Sequence, residues 1–385
     1  MATTKTRKAP KRKQANVRFV ESKGLYELRF TVSGSRFSVY GATVAECREK
    51  ETKKREALAQ GIQTGNTQTF EKYADKWLDN LSGSVSSSTV FTYRGKIASI
   101  CAVKVCGGSV AFGSLKLKDI TSDDCRELQT ELHRTLSAYN TNQIMSRGKA
   151  VMESAVDDRL ITWNPFTRVR SLKRTEQEIT ETVHRGLSKP ETQRLLDTAK
   201  SEKYYYNLIK FFLNTGLRCG EVGALRYSDV DLKNNILHVK RTLTRAETGE
   251  FMIGTTTKTY SGTRDIPLNA ESIAAIRWQM EYNKTQNTGK VTRLNDLLFV
   301  SLDFNLLNVN TVNNALKRIC KAAGIERLTV HGLRDTFATR CAESGMAPRV
   351  LMELMGHSSI EVTMNIYVHV MDDTKTAELN AVNFC

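Results

Sequence analysis

Two polar stretches divide the chain of 385 residues into segments whose apolar residues repeat with different periods. The first stretch, GIQTGNTQ at 61–68, has the composition of a flexible linker, and the second, RVRSLKRTEQE at 168–178, is basic. A chain of this length can build two or three cores. We therefore predict a multidomain α+β protein with domains at 1–65, 66–167 and 186–385 and a linker at 168–185.

The first segment has the pattern of a small sheet with one helix. Apolar and polar residues alternate in GLYELRFTV at 24–32, as in a half-buried strand, and Gly34 begins a tight turn into RFSVY. A strand at 17–20 and a charged helix at 43–60 would complete a three-stranded sheet with one helix on it. The tail at 1–13 carries six bases and no acid, which is typical of a segment that lies along phosphates.

The second segment predicts an all-helical domain. Apolar residues recur between 70 and 81 at the spacing of one helix face. Leucines repeat this spacing at 128–136, after two aspartates that favour the positive end of a helix dipole. A third helix is expected at 141–159.

The third segment is mainly helical with one β region. Ser188 and Glu191 have the spacing of a capping box, with Pro190 in the first turn. The string KYYYNLIKFFLNTG at 203–216 predicts a helix that ends at its glycine, with the tyrosines in the core. Strands of a small antiparallel sheet are expected between NNILHVK and TKTYSGTRDIPL, at 234–268.

The charge of the chain points to a polyanionic partner. Lys and Arg number 57 against 41 Asp and Glu, which gives a net charge of +16. Nucleic acid, a membrane surface and a ribosome all remain open on this ground. The first residues have no apolar region typical of a secretory signal, and no stretch approaches the length of a membrane span.

The sequence offers no pattern for a cofactor, a metal or nucleotide hydrolysis. The eight cysteines are scattered, which suits free thiols in a reducing cytoplasm. Cys101 and Cys106 form a CxxxxC pair, but no second ligand pair accompanies it. A GxxxxGK[ST] loop is missing. We therefore predict neither a metal nor a cofactor.

Several strings carry residues suited to phosphate chemistry. In HGLRDTFATRCAESG, His331 and Arg334 lie on one face near the start of a predicted helix, where anions are favoured. That pair alone is more simply interpreted as two solvated surface residues. The string TGLRCGEVGALR, however, places Arg218 at a turn between glycines, and the β region places Lys258 at a predicted hairpin tip.

The last of these strings is LMGHSSIEVTMNIYVHV, which places His357 in a short turn, ten residues before Tyr367 in the final helix. The candidate catalytic residues in chain order are Arg218, Lys258, His331, Arg334, His357 and Tyr367. This series resembles that of the tyrosine recombinase and phage integrase family. The strings TGLRCGEV, HGLRDTFAT and GHSSIEVTMNIYVH are similar to the family's sequence boxes in order and spacing. The close resemblance covers about residues 180–370.

The resemblance extends more loosely to the rest of the chain. Residues 69–165 are similar to the family's core-site-binding domain, and 1–65 resemble the arm-site-binding domain of integrases from lambda-like phages and conjugative transposons. The implied partner is double-stranded DNA at attachment or transposon-end sites, bound by a homotetramer on two duplexes with accessory DNA-bending or excision factors. The implied location is the bacterial cytoplasm, at the nucleoid.

The candidate residues suit transfer of a DNA strand. Arg218 and Arg334 would bind the negative charge that grows on the non-bridging oxygens of phosphorus. Tyr367 would be the nucleophile, although its ordinary pKa near ~10 requires a proton acceptor and nearby cations. His331 is the expected acceptor, because imidazole titrates close to neutrality.

The remaining two residues would complete the reaction. Lys258 is the expected acid for the departing 5′ oxygen, and His357 would hydrogen-bond the scissile phosphate. The 3′-phosphotyrosine keeps the energy of the broken bond, so rejoining needs no ATP. The cations would replace a divalent metal.

Two other functions remain open at this point. A type IB topoisomerase would use similar chemistry without choosing a sequence, and a non-catalytic DNA-binding regulator would keep the charge and the fold. The extra N-terminal domain argues against the first, and the full set of six residues argues against the second. Arg226 and Arg264 are interpreted as phosphate-binding or salt-bridge residues rather than catalysts.

Overall fold

The computed structural model describes residues 16–32, 35–59, 67–175, 186–254, 263–286, 294 and 296–371. The chain forms two compact units, of which the first comprises 1–85 and 92–178 and the second 86–91 and 179–385. Helices combined with small antiparallel sheets confirm the predicted α+β class. The proposed boundary at residue 65 remains a prediction.

The N-terminal segment is a three-stranded antiparallel sheet covered by one helix. The strands are β1 (Val17–Val20), β2 (Leu25–Val32) and β3 (Ser35–Gly41), with a 3₁₀ turn at Glu21–Lys23, and the helix is α1 (Val44–Ala59). Leu28 of β2 lies opposite Val17 and Val39, so the inward residues of all three strands meet. Leu28, Phe30, Val39 and Cys47 form the buried cluster, as the period-two alternation predicts.

The other face of this sheet carries arginines arranged around one acid. Glu27 of β2 is only 2% exposed. It accepts hydrogen bonds from Nε of Arg18 on β1 (2.5 Å), Nε of Arg29 (3.1 Å) and the hydroxyl of Tyr40 on β3 (3.0 Å). Burial raises the pKa of Glu27, but the bonds from Arg29, Arg18 and Tyr40 outweigh it and bring the pKa to about 2. The carboxylate therefore stays ionised and orients both guanidiniums.

The next segment is built from four helices and a short hairpin. The helices are α2 (Phe70–Leu81), α3 (Ser87–Ala102), α4 (Ser122–His133) and α5 (Ala138–Asp157), and the hairpin strands are β4 (Lys104–Val105) and β5 (Val110–Ala111). Short 3₁₀ helices lie at Phe112–Ser114, Leu117–Asp119 and Pro165–Arg168. Phe112 contacts Phe70 and Phe166 edge to face, with ring centroids 5.2 and 6.0 Å away, in a core that the sequence period predicts.

Helix α3 is the element that the sequence predictions omit. Its sequence SSTVFTYRGKIASICA combines serines, β-branched residues and Gly95, all weak helix formers. Its buried residues Val90, Ile97 and Ile100 nevertheless lie at helical spacing. Packing of this apolar face outweighs the low local propensity.

The second unit carries most of the remaining helices and two small sheets. Its helices are α6 (Lys189–Ala199), α7 (Lys203–Thr215), α8 (Cys219–Val222), α9 (Ala270–Gln286), α10 (Val309–Ala322), α11 (Val330–Glu343), α12 (Pro348–Met355) and α13 (Ile360–Met371). Its strands are β6 (Val230–Asp231), β7 (Ile236–Val239), β8 (Thr242–Arg245), β9 (Phe251–Gly254) and β10 (Arg264–Pro267), with a 3₁₀ turn at Tyr227–Asp229. One sheet has the order β10-β7-β6 and the other pairs β8 with β9.

Helix α7 supplies much of the apolar core of this unit. The helix before it, α6, begins as the sequence predicts. Ser188 and Glu191 make the predicted capping box of α6. Tyr204 and Tyr205 of α7 are buried in the largest apolar cluster, as expected of a helix with an aromatic inner face. Gly216 ends α7 in the left-handed conformation, also as predicted.

Candidate active site

The end of α7 determines where Arg218 lies. Gly216 has a φ of +61°, and a Cβ atom there would stand 2.3 Å from Cδ1 of Phe337, so only glycine fits this turn. The chain then buries Leu217 and brings Arg218 to the start of α8. Nη2 of Arg218 donates to the carbonyl oxygen of Gly356 at 3.1 Å, while 43% of the side chain remains exposed.

Arg334 lies in the interior, one turn into α11. Its side chain is 2% exposed, Nη1 donates to the carbonyl of Gly216 at 2.6 Å, and Nη2 donates to the carbonyl of Met355 at 2.5 Å. Both acceptors are at the C-terminal ends of helices, α7 and α12, where the helix dipole favours a cation. Burial lowers the pKa of Arg334 to about 9, and the positive charge of Arg218 adds to the decrease. The guanidinium therefore still carries its charge at neutral pH.

His357 lies beside both arginines. Gly356 ends α12 with a φ of +62°, and His357 follows at once. Its Nδ1 lies 2.9 Å from Oγ1 of Thr363, which is fully buried in α13. Burial and, to a smaller extent, the positive charges of Arg334 and Arg218 together lower the pKa of His357 to about 4. The ring is therefore neutral at physiological pH.

His331 occupies the predicted place at the start of α11. Thr329 caps this helix by accepting from the backbone N–H of Gly332. The side chain of His331 is 53% exposed, and its Nε2 lies 3.8 Å from Oδ1 of Asp335. An exposed imidazole beside a carboxylate is accessible to a ligand and able to take a proton.

Tyr367 does not join the other candidates in this structure. It is 3% exposed and packs in an apolar cluster with Ala342, Leu351 and Met355. Its hydroxyl donates to the carbonyl oxygen of Met346. Burial raises the pKa of Tyr367, and the nearby thiol of Cys341 raises it further. The phenol is therefore held protonated, with its hydroxyl bonded to a backbone carbonyl.

Lys258 lies in 255–262, outside the described residues. The described strands on either side of it belong to different sheets, because β9 pairs with β8 and β10 pairs with β7. The two described strands that flank Lys258 therefore do not form the predicted hairpin with each other, and the position of Lys258 itself remains a prediction.

Glu221 is a site residue that the sequence analysis missed. It is 2% exposed, and its carboxylate accepts from the backbone N–H and from Nη1 of Arg218, at 2.9 and 3.0 Å. Both nitrogens of the Arg264 fork also donate to it. Burial raises the pKa of Glu221, but these arginines outweigh burial and hold the pKa below its usual value. The signal in the sequence was its position three residues after Arg218, where a helix start favours an acid.

The described part of the chain offers neither a metal-binding cluster nor a membrane-spanning helix. Within it, no group of three His, Cys, Asp or Glu side chains is placed to hold a metal ion. Helices there also lack the length and apolar character that crossing a membrane requires.

Comparison with known proteins gives consistent matches. The model of the phage integrase family matches residues 185–374. The transposase from transposon Tn916 of Enterococcus faecalis is 29% identical over 282 residues, which cover 70% of this chain and 68% of that protein. A XerC-like tyrosine recombinase of Caldanaerobacter subterraneus is 26% identical over 367 residues, covering 89% of this chain and 90% of that one.

Solved structures share the fold. The Tn1549 transposon integrase, in complex with a circular intermediate DNA, matches with a TM-score of 0.66 and 24% identity, over 82% of this chain and 100% of that one. The lambda integrase tetramer bound to a Holliday junction matches with a TM-score of 0.58 and 19% identity, over 93% of this chain and 96% of that one.

Proposed function

Residues 185–374 make this chain a member of the phage integrase family, and from that membership we propose that it is a site-specific recombinase that joins DNA through Tyr367. The reaction breaks a phosphodiester, forms a 3′-phosphotyrosine bond and releases a 5′ hydroxyl. A 5′ hydroxyl from another strand then attacks the same phosphorus and releases the tyrosine. No bond energy is lost, so no nucleotide is consumed.

One observation carries the assignment of the phosphate site. Arg334 and Arg218 donate to consecutive carbonyl oxygens, those of Met355 and Gly356, so two guanidiniums converge on one short turn. His357 is the next residue in that turn. Two cations and a hydrogen-bonding ring at one point are suited to a phosphate whose charge increases during the reaction.

The roles of the other groups are assigned from their ordinary acid and base chemistry. His331 accepts the proton of Tyr367 as its oxygen attacks phosphorus, and Lys258 gives a proton to the departing 5′ oxygen. His357 is neutral, so it donates one hydrogen bond from Nε2 when Thr363 donates to Nδ1. Tyr367 reaches the phosphate only after its hydroxyl leaves the Met346 carbonyl. We therefore expect the Tyr367 side chain to move before cleavage while Thr363 stays beside His357.

The relatives support the choice of substrate and assembly. The Tn1549 transposon integrase is solved in complex with a circular intermediate DNA, and the lambda integrase as a tetramer bound to a Holliday junction. We assign to this chain the same class of substrate, the DNA ends of a mobile element, and a homotetramer on two duplexes. Its place of action is then the bacterial cytoplasm, at the nucleoid, with accessory DNA-bending or excision factors.

The N-terminal sheet is assigned to a second DNA site. Its outer face carries Arg18 and Arg29 on adjacent strands, both held by Glu27. A β-ribbon fits the major groove of DNA, where arginines contact phosphates and guanines. We therefore assign 1–65 to arm sites, 66–167 to the core site and 186–385 to catalysis.

Replacement of the nucleophile tests the assignment. A nicked duplex carrying an end of the mobile element should trap the wild-type protein as an SDS-resistant adduct at Tyr367. Tyr367→Phe should bind that duplex with unchanged affinity and give no adduct, because only the attacking oxygen is removed. An adduct of the Phe variant at the wild-type level would overturn the assignment, and relaxation of plasmids without the element's ends would favour a topoisomerase.

A further inference from the structure

Arg264 connects three parts of the catalytic unit through one guanidinium. It is the first residue of β10, and its side chain is only 7% exposed. Nε donates to the carbonyl oxygen of Leu354 in α12 at 2.7 Å. Nη1 and Nη2 donate to the two carboxylate oxygens of Glu221 at 3.0 and 2.9 Å. The charge of Arg264 faces the carboxylate of Glu221, whereas the hydrogen bonds of Arg334 go to uncharged backbone carbonyls. Arg264 is therefore assigned to Glu221 rather than to the substrate phosphate.

Glu221 is shared between two arginines with different exposure. Its Oε1 accepts from Nη1 of both Arg218 and Arg264, each at 3.0 Å. Arg218 is 43% exposed, whereas Arg264 is almost fully enclosed. The buried carboxylate of Glu221 is thus paired with one solvent-exposed arginine, Arg218, and one buried arginine, Arg264.

We propose that Arg264 is a positioning residue, which neutralises Glu221 so that Arg218 remains available to the scissile phosphate. This inference rests on the proposed function. A buried carboxylate needs a cationic partner, because leaving it unpaired in the interior is costly. Without Arg264, Arg218 would be the remaining arginine on Glu221, and it would be drawn toward the carboxylate. The phosphate would then have to compete for Arg218.

The bond to Leu354 explains why the side chain keeps this position. The carbonyl of Leu354 lies in the last turn of α12, close to the end of the helix dipole that attracts cations. Nε of Arg264 thus binds α12 while Nη1 and Nη2 bind Glu221, and rotation of the side chain away from Glu221 would break these three hydrogen bonds. A lysine would place one charge there but could not make the two parallel bonds.

A double-mutant cycle tests this role. The variants are Arg264→Met, Glu221→Gln and the double variant, with Arg264→Lys as the conservative change. Arg318→Met is the control for loss of an arginine, because Arg318 forms an exposed pair with Glu202. Single-turnover cleavage of the nicked duplex, duplex affinity and thermal unfolding are measured for each protein.

The expected result is a loss of rate that depends on the charge of Glu221. Arg264→Met should cleave about 10- to 100-fold more slowly, below the effect of removing a donor outright, with duplex affinity nearly unchanged. The cleavage rate of Arg264→Lys should lie between those of wild type and Arg264→Met. In the Glu221→Gln background, adding Arg264→Met should lower the cleavage rate by less than about threefold, because no buried charge then competes for Arg218.

Two results would overturn the inference. The first is folded Arg264→Met that cleaves within about threefold of wild type. The second is a loss of tenfold or more on adding Arg264→Met to Glu221→Gln, and this comparison decides the matter even if Arg264→Met alone does not fold. A wild-type protein that forms no adduct contradicts the proposed function instead, so the two failures are distinguishable.

Discussion

Thr363→Val removes one hydroxyl that orients the neutral ring of His357. Thr363 is fully buried in α13, and its Oγ1 lies 2.9 Å from Nδ1 of His357. Valine keeps the shape of the side chain, so packing should change little, but Nδ1 loses its partner. An unsatisfied buried polar group costs about 1–3 kcal/mol. If that cost falls on the orientation of the ring toward the phosphate, the rate of cleavage should drop by about 10- to 100-fold.

The assay is single-turnover cleavage of the nicked duplex at saturating protein. Duplex affinity should stay within about twofold of wild type, because His357 is proposed to act on the charge that develops during the reaction. Thr363→Ser restores the hydroxyl and is the matched control, which should recover most of the lost rate. A folded Val variant that cleaves within twofold of wild type, or a Ser variant as slow as Val, would refute this role of Thr363.

Three further results are expected. The pKa of His357 is about 4 in the folded protein against an ordinary 6.5, so its contribution to the free energy of unfolding is present above pH 6.5 and is lost as pH falls toward 4. Urea denaturation should therefore show a larger loss of stability between pH 6.5 and 4 for wild type than for His357→Gln. The same pH dependence in both proteins would contradict this expectation. Gly216→Ala should lower the free energy of unfolding by about 2–5 kcal/mol, from the left-handed backbone and the overlap with Phe337. Gly324→Ala, with a φ of +63° but no atom within 4 Å, should cost only about 1–2 kcal/mol, and equal losses for the two variants would exclude the overlap. Deleting 1–65 should preserve cleavage of a short core-site duplex and weaken binding to full attachment DNA, and identical footprints for the intact and truncated proteins would remove support for the arm-site assignment.

Local patterns predicted most of the elements. The capping residues Ser188 and Glu191, the glycine that ends α7 and the alternation in β2 each depend on neighbours within a few residues. Such interactions can be seen in a sequence because their spacing is set by the geometry of one helix or strand. Helix α3 was missed because its local propensity is poor and its stability comes from packing.

Interactions between distant segments could not be predicted in the same way. Arg264 and Glu221 are 43 residues apart, and no local spacing indicates that they pair. Arg218 and Arg334 come from distant segments, and both of their guanidiniums donate to the turn that precedes His357. Their catalytic roles remain predictions, as does that of Lys258. The burial of Tyr367 was not expected, since its distance from His357 along the chain says nothing about where its hydroxyl points.

The hydrogen bond from Tyr367 to Met346 has a consequence for the cell that contains this protein. On the proposed function, every copy carries a tyrosine that could cut chromosomal DNA, including copies that meet no attachment site. Exposing the buried ring of Tyr367 and breaking its hydrogen bond costs about 3 kcal/mol. The form in which Tyr367 is released therefore stays below about 1% of the population. The packing of Tyr367 therefore limits unwanted cleavage by each molecule that is not bound at its site. At any frequency of contact with unrelated DNA, the number of stray breaks is then limited by the small fraction of molecules in which Tyr367 is released.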